Sequence, residues 1–271
     1  MTARGTPAPA GEGRVGEFDG KVALVTGTSG IGRATALRLA AAGARVLACG
    51  IDAAANAALQ DAADGIAVHH ADMSEAEAVR QAVALGVARF GGLDIIVNAA
   101  AVHPYGTVVD LDAATFLRCL AVNVGSIHLT AHFGIPELRR RGGGAIVNLA
   151  SVQGHACQRN VAAYVASKGA IHALTRAMAL DHAGDNIRVN SVSPGSVRTP
   201  MLERAARVVD GADADIDAVF GRFGAAHPLG RIGEPEEVAE LIAFLVGPRA
   251  AFCTGGDYRI DGGLTAGIGV R

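Results

Sequence analysis

Seven short apolar runs punctuate the chain, at 21–26, 44–49, 66–70, 93–97, 144–149, 187–192 and 257–260. Between them lie longer stretches whose apolar positions recur every three to four residues, near 30–42, 74–90, 112–140, 160–182 and 235–246. The first kind of pattern predicts strands and the second helices. Strand and helix alternating in this way imply a parallel, doubly wound sheet with right-handed crossovers. Runs such as Ile95-Ile96-Val97 are apolar on both faces, as strands of a sheet covered on two sides must be. The expectation is an α/β fold with a mainly parallel, seven-stranded sheet and helices on both faces. Ligands of such a sheet bind beyond the carboxyl ends of its strands. Gly27, Gly50, Asp72, Asn98 and Ser151 all fall there.

Composition narrows the function classes. A chain of 271 residues, half of them apolar, can bury one large core as a single domain. A net charge of −2 without a basic cluster argues against nucleic acid or an anionic membrane as partner. No apolar run approaches the length needed to cross a bilayer. Residues 1–16 are rich in Gly, Pro and Ala and read as a disordered tail rather than a signal peptide, ahead of a domain over 17–271. Cys49, Cys119, Cys157 and Cys253 show no metal-ligand spacing, so thiols, a cytoplasmic location and no metal site are expected.

The chemistry concentrates in Tyr164-Val165-Ala166-Ser167-Lys168, with Ser151 thirteen residues upstream. On a helix Tyr164 and Lys168 stand one turn apart on the same face. Taken alone, such a pair is usually a solvated surface pair. Lowering a phenol by roughly two to three units from its usual value of about 10 takes about 3–4 kcal/mol. A unit positive charge some 4 Å away supplies about 4 kcal/mol at an effective dielectric of about 20. Lys168 can therefore make Tyr164 a proton-transfer group, with Ser151 holding a substrate oxygen beside it.

A second, independent pattern opens the chain. Lys21–Thr26 is an apolar run, Gly27-Thr28-Ser29-Gly30-Ile31-Gly32 a glycine-rich turn, and Arg33–Ala40 a helical stretch. Strand, glycine loop and helix in that order are the context of a dinucleotide site, where the backbone approaches a pyrophosphate and the helix N-terminus offers free N–H groups. From about Phe18 to Gly263 the chain resembles the short-chain dehydrogenase/reductase family. The resemblance is carried by Thr26-Gly27, Gly30-Ile31-Gly32, Asp72, Asn98-Ala99-Ala100-Ala101, Asn123, Ser151, Tyr164-x-x-x-Lys168, Pro194-Gly195, Thr199 and Asp261-Gly262-Gly263.

That resemblance implies a Rossmann-type single domain, an NAD(P) cofactor, a homotetramer, and reversible hydride transfer between nicotinamide and a secondary alcohol or ketone. Tyr164 would be the general acid/base, and Lys168 would lower its pKa and bind the nicotinamide ribose. Ser151 would orient the carbonyl, and Asn123 would kink its helix and hold a water in the proton relay. Gly27, Thr28, Ser29, Gly30 and Ile31 would cradle phosphate. Asp52 would meet the adenosine ribose and Asp72 the adenine, Met73 and Asn98 would also bind the cofactor, and Pro194, Gly195, Val197 and Thr199 would hold the carboxamide. Asp72 can equally begin the helix near Ser74. Residues 196–230 would form a lid over the substrate.

Two departures stand out. Only Thr28 and Ser29 separate Gly27 from Gly30, one residue fewer than the family loop, which draws the strand end toward the helix start. After the second strand Gly50 occupies the place of a ribose-binding acid, with Asp52 two residues later. With no basic residue ready for a 2′-phosphate, the residues lean to NAD over NADP. His103, Gln153 and His155 are expected to border the substrate, and the polar rim suits a sugar or polyol. The rival readings are a 3-oxoacyl thioester reductase, with Arg139-Arg140-Arg141 receiving an acidic carrier, and a non-catalytic binding or regulatory protein on the same fold.

Overall fold

The computed structural model describes residues 16–267. Residues 1–15 of the expected 1–16 tail lie outside the described residues, as do residues 268–271. One sheet of seven parallel strands runs in the order β3-β2-β1-β4-β5-β6-β7. The strands are β1 Val22–Thr26, β2 Arg45–Gly50, β3 Ile66–His70, β4 Ile95–Asn98, β5 Gly144–Leu149, β6 Ile187–Pro194 and β7 Asp257–Ile260. The strand order reverses between β1 and β4, which opens a crevice at their carboxyl ends.

β1 is buried throughout because its alternate residues serve two cores. Ala23 and Val25 join Leu39, Val46 and Ile242 on one face, under helices α1 (Gly30–Ala41), α2 (Ala53–Gln60) and α9 (Pro235–Val246). Val22 and Leu24 join Val83, Ile127 and Ile171 on the other, under α3 (Ala76–Phe90), α5 (Ser126–Arg140) and α6 (Ala162–His182). The remaining helices are α4 (Ala113–Leu120), α7 (Pro200–Asp210) and α8 (Ile216–Ala225). Among the described residues no helix is long and apolar enough to cross a membrane.

The expected helix over 112–140 is interrupted. α4 and α5 are joined by a π-helical turn, Ala121–Gly125, with Asn123 at its middle. Three helices escaped the apolar periodicity. α2 is eight residues long and five of them are alanine, so its face carries little contrast. α7 and α8 fall within the expected lid and share a small core of their own, built on Ala206, Val219, Phe220 and Ile232. α7 has a Thr199 cap and Pro200 in its first turn, a combination that favours a helix start.

The centre of the sheet is polar. Asn98 and Asn148 are register partners in β4 and β5, and Asn98 Nδ2 donates to Asn148 Oδ1 at 2.9 Å. Thr130 donates to Asn98 Oδ1 at 2.8 Å, and Asn148 donates to Thr175 at 3.0 Å. The ladder supplies the support that a second asparagine after Asn98 would have given. It also corrects the expected role of Asn98: its amide atoms are engaged by β5 and by α5, and it does not line the cleft.

Candidate active site

A cleft of about 770 Å³ lies over the carboxyl ends of the strands, and most of the sequence-derived site residues line it. At one end is the β1–α1 turn. Gly27 takes φ +90° and its N–H reaches Cys49 O at 2.7 Å, while Gly30 takes φ +50°. A Cβ on Gly32 would sit 2.2 Å from Gly27 O, so only glycine lets the helix start this close to the strand end. Ser29 caps α1 without a side-chain hydrogen bond, and the first turn holds no acidic residue. The positive end of α1 is thus free to meet an anion in the cleft. These features fit a dinucleotide pyrophosphate on Gly27–Ile31 despite the missing loop residue.

The adenosine end departs from expectation. A Cβ on Gly50 would fall 2.5 Å from Thr28 Oγ1, so the short loop leans on β2 where an acidic side chain would stand. Asp52 lines the cleft, but its carboxylate caps α2, accepting from Ala55 N at 3.0 Å. Asp72 also lines the cleft beside Met73. Its carboxylate accepts from Ser74 N at 3.0 Å and Ser74 Oγ at 2.7 Å, and pairs with Arg118 at 2.7 Å. The helix that follows is capped by Glu75 instead.

The middle of the cleft is the carboxyl end of β5 and the first turns of α6. Ser151, Tyr164 and Lys168 converge there, all buried. Lys168 Nζ lies 5.3 Å from the centroid of the Tyr164 ring and donates to Leu149 O at 2.6 Å. Burial pushes the Tyr164 phenol up to about 12, against a hydrogen bond with Ser151 that pulls it down. Burial also lowers Lys168 to about 8. The expected lowering of the phenol by Lys168 is therefore outweighed, because desolvation disfavours both charged forms together.

Asn123 stands behind this group and does not line the cleft. Its Oδ1 accepts from Val102 N at 2.8 Å, and its Nδ2 donates to Val102 O at 3.0 Å and Ser167 Oγ at 2.9 Å. The amide thus ties the loop after β4 to α6. That loop carries His103 edge-on to Tyr164, with ring centroids 4.1 Å apart. Burial, then the charge of Lys168, holds His103 down at about 4, so its ring is neutral at physiological pH. Gly106 N–H to Asn160 O at 2.7 Å fastens the same loop to the start of α6.

Pro194, Gly195, Val197 and Thr199 line the far wall. His227 braces this turn by accepting from Ser196 N at 3.2 Å. α7 continues the wall through Met201, Leu202 and Val209. Gln153 and Gln158 form the polar rim, amide to amide at 3.0 Å. His155 does not line the cleft. The 3₁₀ turn after Ser151 directs its ring outward to Asp257 at 2.7 Å.

The family model described as "Enoyl-(Acyl carrier protein) reductase" matches residues 25–265. The chain belongs to the short-chain dehydrogenase/reductase family. It is an NAD(P)-dependent oxidoreductase acting on CH–OH groups, as its named dehydrogenase relatives are. Among curated relatives, the cyclohexanol dehydrogenase of Acinetobacter sp. (strain SE19) is 36% identical, with 92% of this chain and 97% of that protein aligned. The L-fucose dehydrogenase of Mus musculus is 36% identical over 94% of this chain and 92% of that protein. Among solved structures, the ligand-free aldohexose dehydrogenase of Thermoplasma acidophilum has a TM-score of 0.89 and 32% identity, covering 95% of this chain and 98% of that one.

Sequence reading missed several residues of the site. Thr26 Oγ1 accepts from Ala99 N and Ala100 N, both at 3.0 Å, and so locks the two loops of the crevice together. Its place at the end of β1, next to the glycine turn, was a usable sign. Arg118 and Gln158 also line the cleft, and nothing in their local sequence points there.

The phenol shifts carry a direct test. Burial raises Tyr105, and a hydrogen bond with Cys253, then burial, raises Tyr258 to about 12. The chain has three tyrosines and no tryptophan. Near-ultraviolet titration of the ligand-free protein is therefore expected to show no phenolate until the pH passes the ordinary tyrosine value of 10. Above that value the unfolded chain loses tyrosine protons that the native chain keeps, so stability falls as pH rises toward 12. A phenolate titrating near neutrality would mean that Lys168 alone is enough to activate Tyr164.

Proposed function

We propose that the protein interconverts a secondary alcohol and a ketone on a small polar substrate, a sugar or polyol, with Tyr164 as general acid/base. The observation that carries this reading is the convergence of Ser151, Tyr164 and Lys168 in the same cleft as the open N-terminus of α1. Bound nicotinamide supplies the hydride donor or acceptor. Ser151 holds the substrate oxygen against the Tyr164 hydroxyl, which takes its proton on oxidation and returns it on reduction. Lys168 stabilises the phenolate and has donors left for the nicotinamide ribose, since Leu149 O takes one of three. Asn123 is a positioning residue, and the turn from Pro194 to Thr199 holds the carboxamide.

Gln153 and Gln158 on the rim suit a hydroxylated substrate better than a long acyl chain. Cyclohexanol, L-fucose and aldohexose in the names of similar proteins point the same way. The thioester-reductase reading loses its support. Arg139 is paired with Asp185, Arg140 with Glu137 and Arg141 with Asp94, at the amino-end rim of the sheet, away from the cleft. NAD is the proposed cofactor, because the end of β2 presents Gly50, Ile51 and Asp52 and no basic side chain. α7 and α8 are the proposed lid, and their separate core lets them move as a unit.

A tetramer is proposed, with exposed Leu117 on α4 and Leu180 on α6 as contacts between copies. The four cysteines are free thiols, in keeping with a cytoplasmic setting.

The test is a crossed screen of NAD and NADP against sugars, polyols, hydroxysteroids and 3-hydroxyacyl thioesters. Turnover of a sugar or polyol with NAD is expected. Turnover of thioesters alone, with NADP, would favour the rival enzyme. Failure to bind NADH or NADPH in a fluorescence titration would leave only the non-catalytic reading.

A further inference from the structure

Outside the cleft, three segments far apart in the chain bring two imidazoles and a carboxylate to one point. His155 follows Ser151 by four residues, His172 lies one helical turn beyond Lys168 on α6, and Asp257 opens β7. His155 Nε2 is 2.7 Å from Asp257 Oδ2, and His172 Nε2 is 3.5 Å from Asp257 Oδ1. The two rings stack with centroids 4.2 Å apart and planes at 19°. One ligand atom from each residue lies within 4.8 Å of the others. We propose that His155, His172 and Asp257 form a binding site for a borderline divalent cation such as Zn²⁺, stapling the segment after Ser151 to α6 and β7.

The spacing suits such an ion. Ligands about 2.0–2.2 Å from a tetrahedral metal stand roughly 3.3–3.5 Å apart. His155 Nε2 stands closer than that to Asp257 Oδ2, at 2.7 Å, and the ring, 41% exposed, has room to swing outward and admit an ion; His172 Nε2 stands 3.5 Å from the other carboxylate oxygen. His172 and Asp257 are 6% and 17% exposed, so two of the three ligands are already held. The carboxylate is braced from behind, as a metal ligand needs to be. Ser191 Oγ and Ser193 Oγ donate to Asp257 Oδ1 at 2.6 and 2.8 Å, which leaves Oδ2 facing His155. His172 Nε2 sits 3.0 Å from Ser193 Oγ and gives up that contact to bind metal. Two nitrogens and one carboxylate select Zn²⁺, Ni²⁺ or Cu²⁺ over Mg²⁺ or Ca²⁺.

Nothing in sequence spacing announces this set, since each ligand comes from a different element. The occupant would act on the catalytic segment mechanically. A Cβ on Gly154 would lie 2.4 Å from His172 Cε1, so the turn behind Ser151 already rests on one ligand. The proposal does not depend on the substrate or cofactor assigned to the cleft.

Equilibrium dialysis of the full chain against Zn²⁺ alone, at neutral pH, tests it. One equivalent per chain is expected, with affinity falling about tenfold or more in His155→Ala and in Asp257→Asn. Cys157→Ser, which removes the exposed thiol nearby, is expected to leave binding unchanged. Visible bands of bound Co²⁺ are expected in the wild type and not in His155→Ala, a variant that loses only a partly exposed ring. Equal Zn²⁺ affinity in wild type and His155→Ala overturns the proposal, and so does loss of binding on Cys157→Ser. Absence of binding in the wild type would leave the trio as a hydrogen-bonded cluster.

Discussion

Tyr164→Phe is expected to cut turnover to below a few per cent of wild type while cofactor affinity stays within about twofold. General acid–base groups typically contribute about 10²–10⁴-fold in rate. The substitution removes one oxygen from a buried ring and leaves the apolar contacts with His103 in place. Its structural cost is confined to the contact of the hydroxyl with Ser151, which draws the phenol pKa down. Lys168 keeps its bond to Leu149 O, so its donors toward the ribose are unaffected. Steady-state rates with the best substrate of the screen, alongside NADH fluorescence titration, separate chemistry from binding. Activity above a few per cent would mean that the proton leaves by another group. His103, edge-on to the same ring, would be the first to examine.

How much of this could be read from the amino acids depends on whether the deciding contact is local. The strands of the sheet centre were legible because both faces are buried, which writes an unbroken apolar run into β1 and β4. The meeting of Ser151, Tyr164 and Lys168 was legible through helical spacing and the resemblance. Contacts from distant segments were not. His155 looked like a rim residue by its nearness to Ser151, yet Asp257, 102 residues away, turns it outward. Asn98 looked like a cofactor ligand, and a neighbouring strand and helix α5 claimed its two amide atoms. Asp52 was read as a ribose partner because α2, which it caps, went unseen. The phenol shift was misjudged for a related reason. The Coulomb energy of one lysine follows from spacing, but the cost of burying both charges follows only from the packed fold.

Gly32→Ala carries the second large effect, and two principles give it opposite signs. Gly32 sits in the first turn of α1, where alanine is the better helix former by about 1 kcal/mol. Propensity alone predicts stabilisation. The added methyl, however, would stand 2.2 Å from Gly27 O and 2.9 Å from Gly27 C, both backbone atoms with no rotamer to yield. Strand end and helix start must then part by about 1 Å, and such overpacking costs about 1–3 kcal/mol. Packing wins, and the separation falls on the N–H groups proposed to hold pyrophosphate. Losing two hydrogen bonds to a charged group, at about 1.5–3 kcal/mol each, weakens cofactor binding by about 100-fold or more. The one-residue-short loop makes the contact severe, since only Thr28 and Ser29 lie between Gly27 and Gly30 to absorb the shift. Gly184→Ala is the control: nothing lies within 4 Å of its added Cβ, and no change in binding is expected. NADH titration of both variants decides the matter, and an affinity for Gly32→Ala within twofold of wild type would remove the pyrophosphate from this turn.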